Sequence, residues 1–296
     1  MELEKPKNSF TSNALCEGLR LDHRSLHQYR PLDISFGPNY GENVVVHLGK
    51  TYVSASVTYD LVEPSHSSPS TGFFDISISA KNPPRHQGTV HKSPKMMNAI
   101  RFALEQCVKM SGIIDVGSFV HIPGRVVGSL RVDMSILNDD GNLIDCCSVA
   151  AQAALRHFRF HEITCNESNE ICIHKDRDPV PFVGKSIPIV VTLGYLGTLT
   201  VVDPTMAEMG ILDGFMNICV SPSGQVTGLY KYGGQLVSAE LLIECTNVAV
   251  VKALKLLGFI DEMLEKDLRD RDSQFRAKLE NLKKSRQGGI LSEAGY

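Results

Sequence analysis

Two-residue alternation of apolar and polar positions is clearest in the first hundred residues. Asn43–Leu48 reads NVVVHL and Thr51–Tyr59 reads TYVSASVTY, two β-branched runs separated by Gly49-Lys50. Such runs predict strands, and a two-residue connection with a glycine free to take a positive φ predicts a tight hairpin. Phe73–Ser79 alternates again, with Phe74, Ile76 and Ile78 on one face and Phe73, Asp75, Ser77 and Ser79 on the other. Residues 63–72 (EPSHSSPSTG) and 80–92 (AKNPPRHQGTVHK) are loops by composition, the second one basic. Residues 1–28 are polar, with a short helical pattern around Ala14–Leu21.

The period then changes. Met96, Ile100, Ala103, Leu104, Cys107 and Met110 recur at three- and four-residue spacings, predicting a helix over Ser93–Ser111. Ser93 suits the N-cap, Pro94 the first helical position and Gly112 the left-handed C-terminal cap. Strands are predicted at 118–122 and 125–137, then a turn at Asn138–Asn142. An Ala-rich helix capped by Asp145 or Ser148 ends near His157, and 174–185 reads as a linker. Further strands are predicted at 187–193, 198–202, 215–220 and 225–230, and a long helix from near Ser238. This order predicts an α+β fold of two units with mixed sheets, and neither a Rossmann fold nor a βα barrel.

Composition places the pattern in an ordinary globular chain. Of 296 residues, 43 % are hydrophobic and 21 % charged, which excludes a mostly disordered or collagen-like protein. The length fits one large or two medium domains. A net charge of −3 argues against coating nucleic acid by bulk charge but leaves room for a local basic face. The charge is uneven: residues 261–296 hold 16 charged side chains in 36 positions, eight of each sign. Eight cysteines with no Cys-x-x-Cys pair, and an N-terminus (MELEKPKNSF) without an apolar signal core, predict reduced and mostly buried thiols. No apolar run approaches the roughly 20 residues of a membrane span, so no membrane association is expected.

Candidate chemistry is sparse. Gly49-Lys50-Thr51 ends like a phosphate loop, but the glycine needed five residues earlier is Val44. Gly184-Lys185-Ser186 fails the same way at Pro179. The pairs His157/His161 and His23/His27 are spaced for zinc if each shares a helix face; neither has the His-Glu-x-x-His pattern, and no metal or cofactor is expected. Asp133, Asp139, Asp140 and Asp145 are the densest carboxylate group. They could hold Mg²⁺ or act as acid and base, but their local pattern favours a turn and a helix cap. Arg85, His86, His91, Lys92, Lys95, Arg101 and Lys109 form the best basic cluster, suited to phosphates and equally to a solvated helix face. Ile260, Leu264, Leu268, Phe275, Leu279 and Leu282 form a narrow apolar stripe on a highly charged helix. That stripe is too thin for a core helix and suits a neighbour's surface; the alternative is a partly frayed solvent helix.

A set of short motifs over about residues 15–260 resembles the RNase PH-like domains. Leu19-Arg20-Leu21-Asp22-His23-Arg24 resembles their Arg-x-Asp-Gly-Arg opening, with His23 in the glycine position. Leu48-Gly49-Lys50-Thr51 resembles the Gly-x-Thr hairpin that follows. Arg131-Val132-Asp133 and the run Asn138 to Asp145 look like the strand-turn-helix centre. His157-Phe158-Arg159, Arg177-Asp178-Pro179-Val180-Pro181, Ile187-Pro188-Ile189 and Val201-Val202-Asp203-Pro204 continue the match. Leu212-Asp213-Gly214 and Gly233-Gly234 extend it. Together these resemble the RNase PH-like ring subunits of the eukaryotic RNA exosome, of the polymyositis/scleroderma autoantigen 1 type.

The resemblance implies a ribosomal protein S5 domain 2-like unit followed by an RNase PH C-terminal domain. The boundaries expected are 1–28 for an N-terminal arm, 29–178 and 179–260 for the two domains, and 261–296 for a charged helical arm. It also implies a hetero-hexameric ring around a channel for single-stranded RNA, working in nucleus, nucleolus and cytoplasm. Partners implied are the other RNase PH-like subunits, S1/KH-type cap subunits and catalytic exosome nucleases. Active members carry a Gly-Thr-Arg-like run just after the Asp-Gly turn, whose backbone donors and arginine hold phosphate. Here the residues after Asp140-Gly141 are Asn142-Leu143-Ile144-Asp145, and the upstream acidic position is Ser135. The resemblance therefore implies a non-catalytic subunit that guides RNA in 3′-to-5′ processing and degradation, with Lys92, Lys95 and Arg101 facing the channel. The rival reading is a phosphate-dependent 3′-to-5′ exoribonuclease.

Overall fold

The alternating runs of the first half pair into one sheet. The computed structural model describes residues 9–65, 68–80, 94–112, 114–166, 170–182, 187–234 and 236–293, the side chains of 9, 94, 95, 109–111 and 279–293 excepted. Helix α1 (Ser9–Cys16) precedes β1 (Leu32–Ser35), β2 (Val44–Leu48), β3 (Thr51–Val62) and β4 (Phe73–Ala80). Helix α2 (Pro94–Ser111), a 3-10 turn (Val116–Phe119), β5 (Val120–Ile122), β6 (Val126–Asn138) and α3 (Leu143–His157) follow. The sheet order is β1-β2-β3-β6-β4, with β5 beside β6. Pairing is antiparallel except between β4 and β6, where the α2 crossover brings the chain back in parallel. Gly49 takes φ +58° at the predicted hairpin, and Leu48 pairs with Thr51. Ile76 is buried, with Phe74 and Ile78 packed on the same core, as the alternation of that strand requires.

The second group comprises β7 (Arg159–Phe160), β8 (Glu162–Cys165), β9 (Ile171–His174), β10 (Val180–Pro181), β11 (Ile189–Leu196), β12 (Leu199–Val202), α4 (Met206–Met209), β13 (Gly214–Val220), β14 (Val226–Tyr232) and α5 (Ala239–Glu293). Strands β12-β11-β13-β14 make an antiparallel sheet, and β8–β9 and β7–β10 make two ribbons. Helix α3 lies between the units. Fourteen of its fifteen residues are buried, and Ala150, Ala151, Ala153 and Ala154 let neighbours approach closely. One apolar cluster therefore runs from Ile34 through α3 to Ile260.

Several expectations need correction. Asp145 and Ser148 do not cap α3. They lie inside it, buried, and reach the second sheet at Thr192 and Val190. Asn142 is the N-cap, left-handed and without a side-chain capping bond. Helix α1 lies upstream of the expected Ala14–Leu21 and ends before Gly18 at φ +76°. Part of the expected 174–185 linker is strand, because Val180 and Pro181 pair with Phe160 and Arg159. Neither histidine pair shares a helix face: His23 has φ +60°, outside any helix, and His157 ends α3 while His161 lies beyond β7. Cys107 and Cys219 are joined as a disulfide with Cα atoms 6.1 Å apart, against the expectation of reduced thiols. The inner faces of α2 and β13 bring together residues 112 positions apart.

Candidate functional site

The turn after β6 is built backbone against backbone. Gly141 has φ +90°, and a Cβ there would lie 2.5 Å from the Met206 nitrogen, so only glycine fits. Met206 N–H donates to the Asp140 carbonyl at 3.0 Å. The Thr51 hydroxyl accepts from Asp140 N–H at 3.1 Å and donates to the Gly141 carbonyl at 2.8 Å. Arg30 donates to the Asp140 and Gly141 carbonyls at 3.0 and 3.1 Å.

Arg30 in turn grips Asp203 from two of its three guanidinium nitrogens, Nε to Oδ2 at 2.9 Å and Nη2 to Oδ1 at 2.7 Å. Arg24 and Asn142 donate to the same carboxylate at 3.0 and 2.8 Å. Burial pushes the Asp203 carboxyl up, but the Arg30 guanidinium outweighs it and holds the group below the ordinary carboxylate range. Arg20 forms a second buried bidentate pair with Glu208, at 2.8 and 2.6 Å. These pairs tie the segment before β1 to the end of β12 and to α4.

Asp145 is fully used. Its carboxylate accepts from Tyr29 Oη at 2.7 Å, Asn142 Nδ2 at 2.9 Å, Thr192 N–H at 3.0 Å and Thr192 Oγ1 at 2.6 Å. Burial pushes its carboxyl up to about 6, while the bonds from Thr192, Asn142 and Tyr29 pull it down. The next feature is apolar. Leu143 and Ile144, at the start of α3, line a cavity of about 170 Å³ with Met96, Ile100, Phe215 and Tyr232. A helix start can bind anions, but the two side chains after the turn here are hydrocarbon.

The predicted carboxylates do not converge. Asp133 pairs with Arg131 at 3.0 Å on an exposed face, Asp139 accepts from Gly141 N–H at 3.0 Å, and Asp145 is buried as described. Asp140 lies 3.7 Å from Arg30. Ser135 sits 3.2 Å from the Ser79 hydroxyl. Among the described residues no group of three His, Cys, Asp or Glu is arranged to hold a metal ion. Arg101 is exposed on α2, 3.7 Å from Glu105. Lys95 lies in the first turn of α2, but its side chain and all of Arg85, His86, His91 and Lys92 lie outside the described residues.

The tail differs from expectation. Ile260 is fully buried in the chain's own core and Leu264 packs on it, so these two do not belong to an external stripe. Leu268 and Phe275 are exposed, and the side chains of Leu279 and Leu282 lie outside the description. Beyond Ile260, Asp261 pairs with Arg156, and Asp267 lies 3.2 Å from His157 Nε2. Arg271 donates to the Gly37 and Pro38 carbonyls at 2.5 and 2.7 Å. The guanidiniums of Arg159 and Arg271 both lie over the Tyr40 ring, 4.6 and 4.7 Å from its centre. The N–H of Gly41 donates to His157 Nδ1 at 3.0 Å. Burial pushes the His157 imidazole down to about 4, with Arg271 and Arg159 acting in the same sense and Asp267 against it.

Residues 28–161 match the 3′ exoribonuclease family, domain 1, and residues 186–252 match domain 2 of that family. An Arabidopsis thaliana protein named exosome complex component RRP45A is 33 % identical over 94 % of this chain and 92 % of its own length. The Schizosaccharomyces pombe exosome complex component rrp45 is 32 % identical over 93 % and 95 %. The chain belongs to the RNase PH-like exosome components of the RRP45 type. Against the Homo sapiens RRP45 component it spans 61 % of the relative's length. Two solved structures share the RRP45-type fold: an archaeal exosome core (TM-score 0.71, 23 % identity, 86 % of this chain and 96 % of that one) and the Archaeoglobus fulgidus exosome with RNA bound to the active site (0.72, 24 %, 85 % and 96 %).

The buried network of this RRP45-type chain was not visible as a network in its sequence. Arg20, Arg24 and Asp203 stand in recognisable family motifs, but Tyr29 and Arg30 carry no local signal, and Glu208 reads locally only as the end of the Thr205-x-x-Glu208 capping box of α4. The pairs they form with Asp145, Asp203 and Arg20 span 116 to 188 positions.

Proposed function

We propose that this chain is a non-catalytic structural and RNA-guiding subunit of the hetero-hexameric RNase PH-like ring of the exosome, supporting 3′-to-5′ RNA processing and degradation. The observation that carries it is the start of α3. Phosphorolysis needs a phosphate nucleophile held against the last RNA linkage and charge stabilisation at the transferring group. At this turn Arg30 and Arg24 are held by Asp203, Asp145 is saturated by four donors, and Leu143 and Ile144 face an apolar cavity. That supports the reading that phosphate is not bound here. The neighbours are other RNase PH-like subunits, the S1/KH-type caps and catalytic nucleases, in nucleus, nucleolus and cytoplasm. Residues 29–178 and 179–260 are its two domains. Lys92, Lys95 and Arg101 contact phosphates of single-stranded RNA without reading bases. The partner-binding arm is confined to the part of α5 from Leu268 through Phe275, Leu279 and Leu282.

The test is direct. The pure full chain, incubated with 3′-labelled RNA, inorganic phosphate and Mg²⁺, is expected to release no nucleoside diphosphate. Release above a no-protein control, abolished by omitting phosphate, would establish the exoribonuclease instead.

A further inference from the structure

Cys107 and Cys219 tie the two units of the fold together. Cys107 lies on α2, the crossover of the first sheet, and Cys219 lies on β13 of the second sheet. Both are buried. Their Cα atoms are 6.1 Å apart, inside the span of roughly 4.4–6.8 Å that a disulfide bridges. The bond joins residues 112 positions apart, and closing so long a loop removes much of the freedom of the unfolded chain.

The bond holds only one half of α2. Around Cys107 the helix is well seated, with Ala103, Leu104 and Val108 buried. Towards its start the seat is open. None of residues 96–99 is buried, and a hollow of about 170 Å³ lies beneath Met96, Ala99 and Ile100, facing Phe215 and Tyr232. Phe215 and Cys219 are on the same strand, so hollow and disulfide occupy successive parts of one contact between α2 and the second sheet. Where little apolar surface is buried, local opening is easy. Lys95 and Arg101 belong to this first, loosely seated half.

We propose that the Cys107–Cys219 pair is a redox switch that staples α2 to the second sheet when oxidised and lets the first turns of α2 lift when reduced. The oxidant is a small-molecule disulfide of the glutathione class. One cysteine thiolate attacks a sulfur of that disulfide, whose S–S bond breaks and releases one glutathione thiolate. The second cysteine thiolate then attacks the protein sulfur of the mixed disulfide and expels the other glutathione. Two cysteine thiols become one disulfide, two electrons pass to the glutathione disulfide, and two protons end on the two glutathione thiols. Both sulfurs are buried, so exchange waits for α2 to open and is slow in either direction. In a reducing compartment such a bond is a transient sensor and not a permanent brace. Its transience rests on the proposed nuclear and cytoplasmic location; the staple does not.

The test uses the full chain equilibrated in glutathione buffers from fully reduced to fully oxidised, then acid-quenched, denatured and alkylated. Mass spectrometry is expected to find a linked Cys107–Cys219 peptide at the oxidised end and both cysteines alkylated at the reduced end. Amide hydrogen exchange over residues 96–106 should be about tenfold faster in the reduced chain than in the oxidised one. Cys107→Ala and Cys219→Ala should each exchange like the reduced chain in every buffer. Absence of the linked peptide from every buffer, or equal α2 exchange in the two states, would overturn the switch. A linked peptide that survives an excess of reduced glutathione would overturn it too, by making the bond a permanent brace. None of these measurements involves RNA or the ring, so such a failure leaves the proposed function standing.

Discussion

Asp203 accepts hydrogen bonds from Arg30, Arg24 and Asn142, three residues drawn from two separate stretches of the chain. A buried charge persists only when it is paired, and here the pairing holds both units together. Asp203→Asn removes the buried anion and leaves Arg30 with only the partly exposed Asp140 carboxylate, 3.7 Å away, as counter-charge. The expected loss is roughly 3 kcal/mol of unfolding free energy, measured by urea titration of the full chain; a loss under about 1 kcal/mol would refute that role. Asp145 and His157 couple the fold to pH in opposite senses. Asp145 is raised from 3.8 to about 6, so its folded form favours the proton. Its contribution is complete below 3.8 and is lost as pH rises through 6. His157 is lowered from 6.5 to about 4, so its contribution is complete above 6.5 and is lost as pH falls through 4. A histidine proton NMR titration should find one ring that stays neutral to near pH 4. A midpoint near 6.5 for His157 would contradict its burial beside Arg159 and Arg271.

Helix α5 runs without a break through the expected boundary at 260/261. Its first half docks by an apolar face that includes Cys245, Ala249, Ala253, Leu257 and Ile260. Its next turns dock by charge, through Asp261, Asp267 and Arg271. Apolar periodicity captures the first kind of docking and misses the second, which is why 261–272 read as part of a free arm. Two truncations separate the roles. Removing 273–296 should leave the unfolding midpoint unchanged and weaken co-purification with other ring subunits. Removing 261–296 should also lower stability by about 2 kcal/mol, since the two hydrogen bonds from Arg271, the Arg156–Asp261 ion pair and the His157–Asp267 contact go. A 273–296 deletion that assembles at full strength would sink the arm. Other elements were read well. The hairpin at Gly49-Lys50, the two faces of β4 and the end of α2 before the left-handed Gly112 follow from period and turn residues, while the Ser93 cap lies outside the described residues. The two-residue strands β7 and β10 were missed, because two residues carry no period.

At the scale of the whole molecule, one core spans both sheets and α3, so the units behave as a single folded body. A net charge of −3 suits the proposed ring subunit, whose surface would mainly meet proteins and whose proposed RNA contact is a local basic edge. Arg101 is exposed and near only Glu105 among its described ion pairs, so reversing its charge leaves the core intact. Lys95→Glu with Arg101→Glu should weaken RNA protection in the assembled ring, more at low salt than at high salt. Unchanged protection would refute the channel assignment.

Taken by itself, the sequence determined the strands and helices with strong periods, the RNase PH-like kinship, and the hydrocarbon pair that follows Asp140-Gly141. These are local properties, written in spacing and residue type. Only the tertiary structure decided that Asp203 holds Arg30, that Glu208 holds Arg20, that Asp145 is a buried hub and not a cap, and that α5 docks by charge beyond Ile260. A period records which face of an element is apolar, but not which distant charge will meet another. Pairs separated by more than 170 positions become neighbours only when the core around α3 closes.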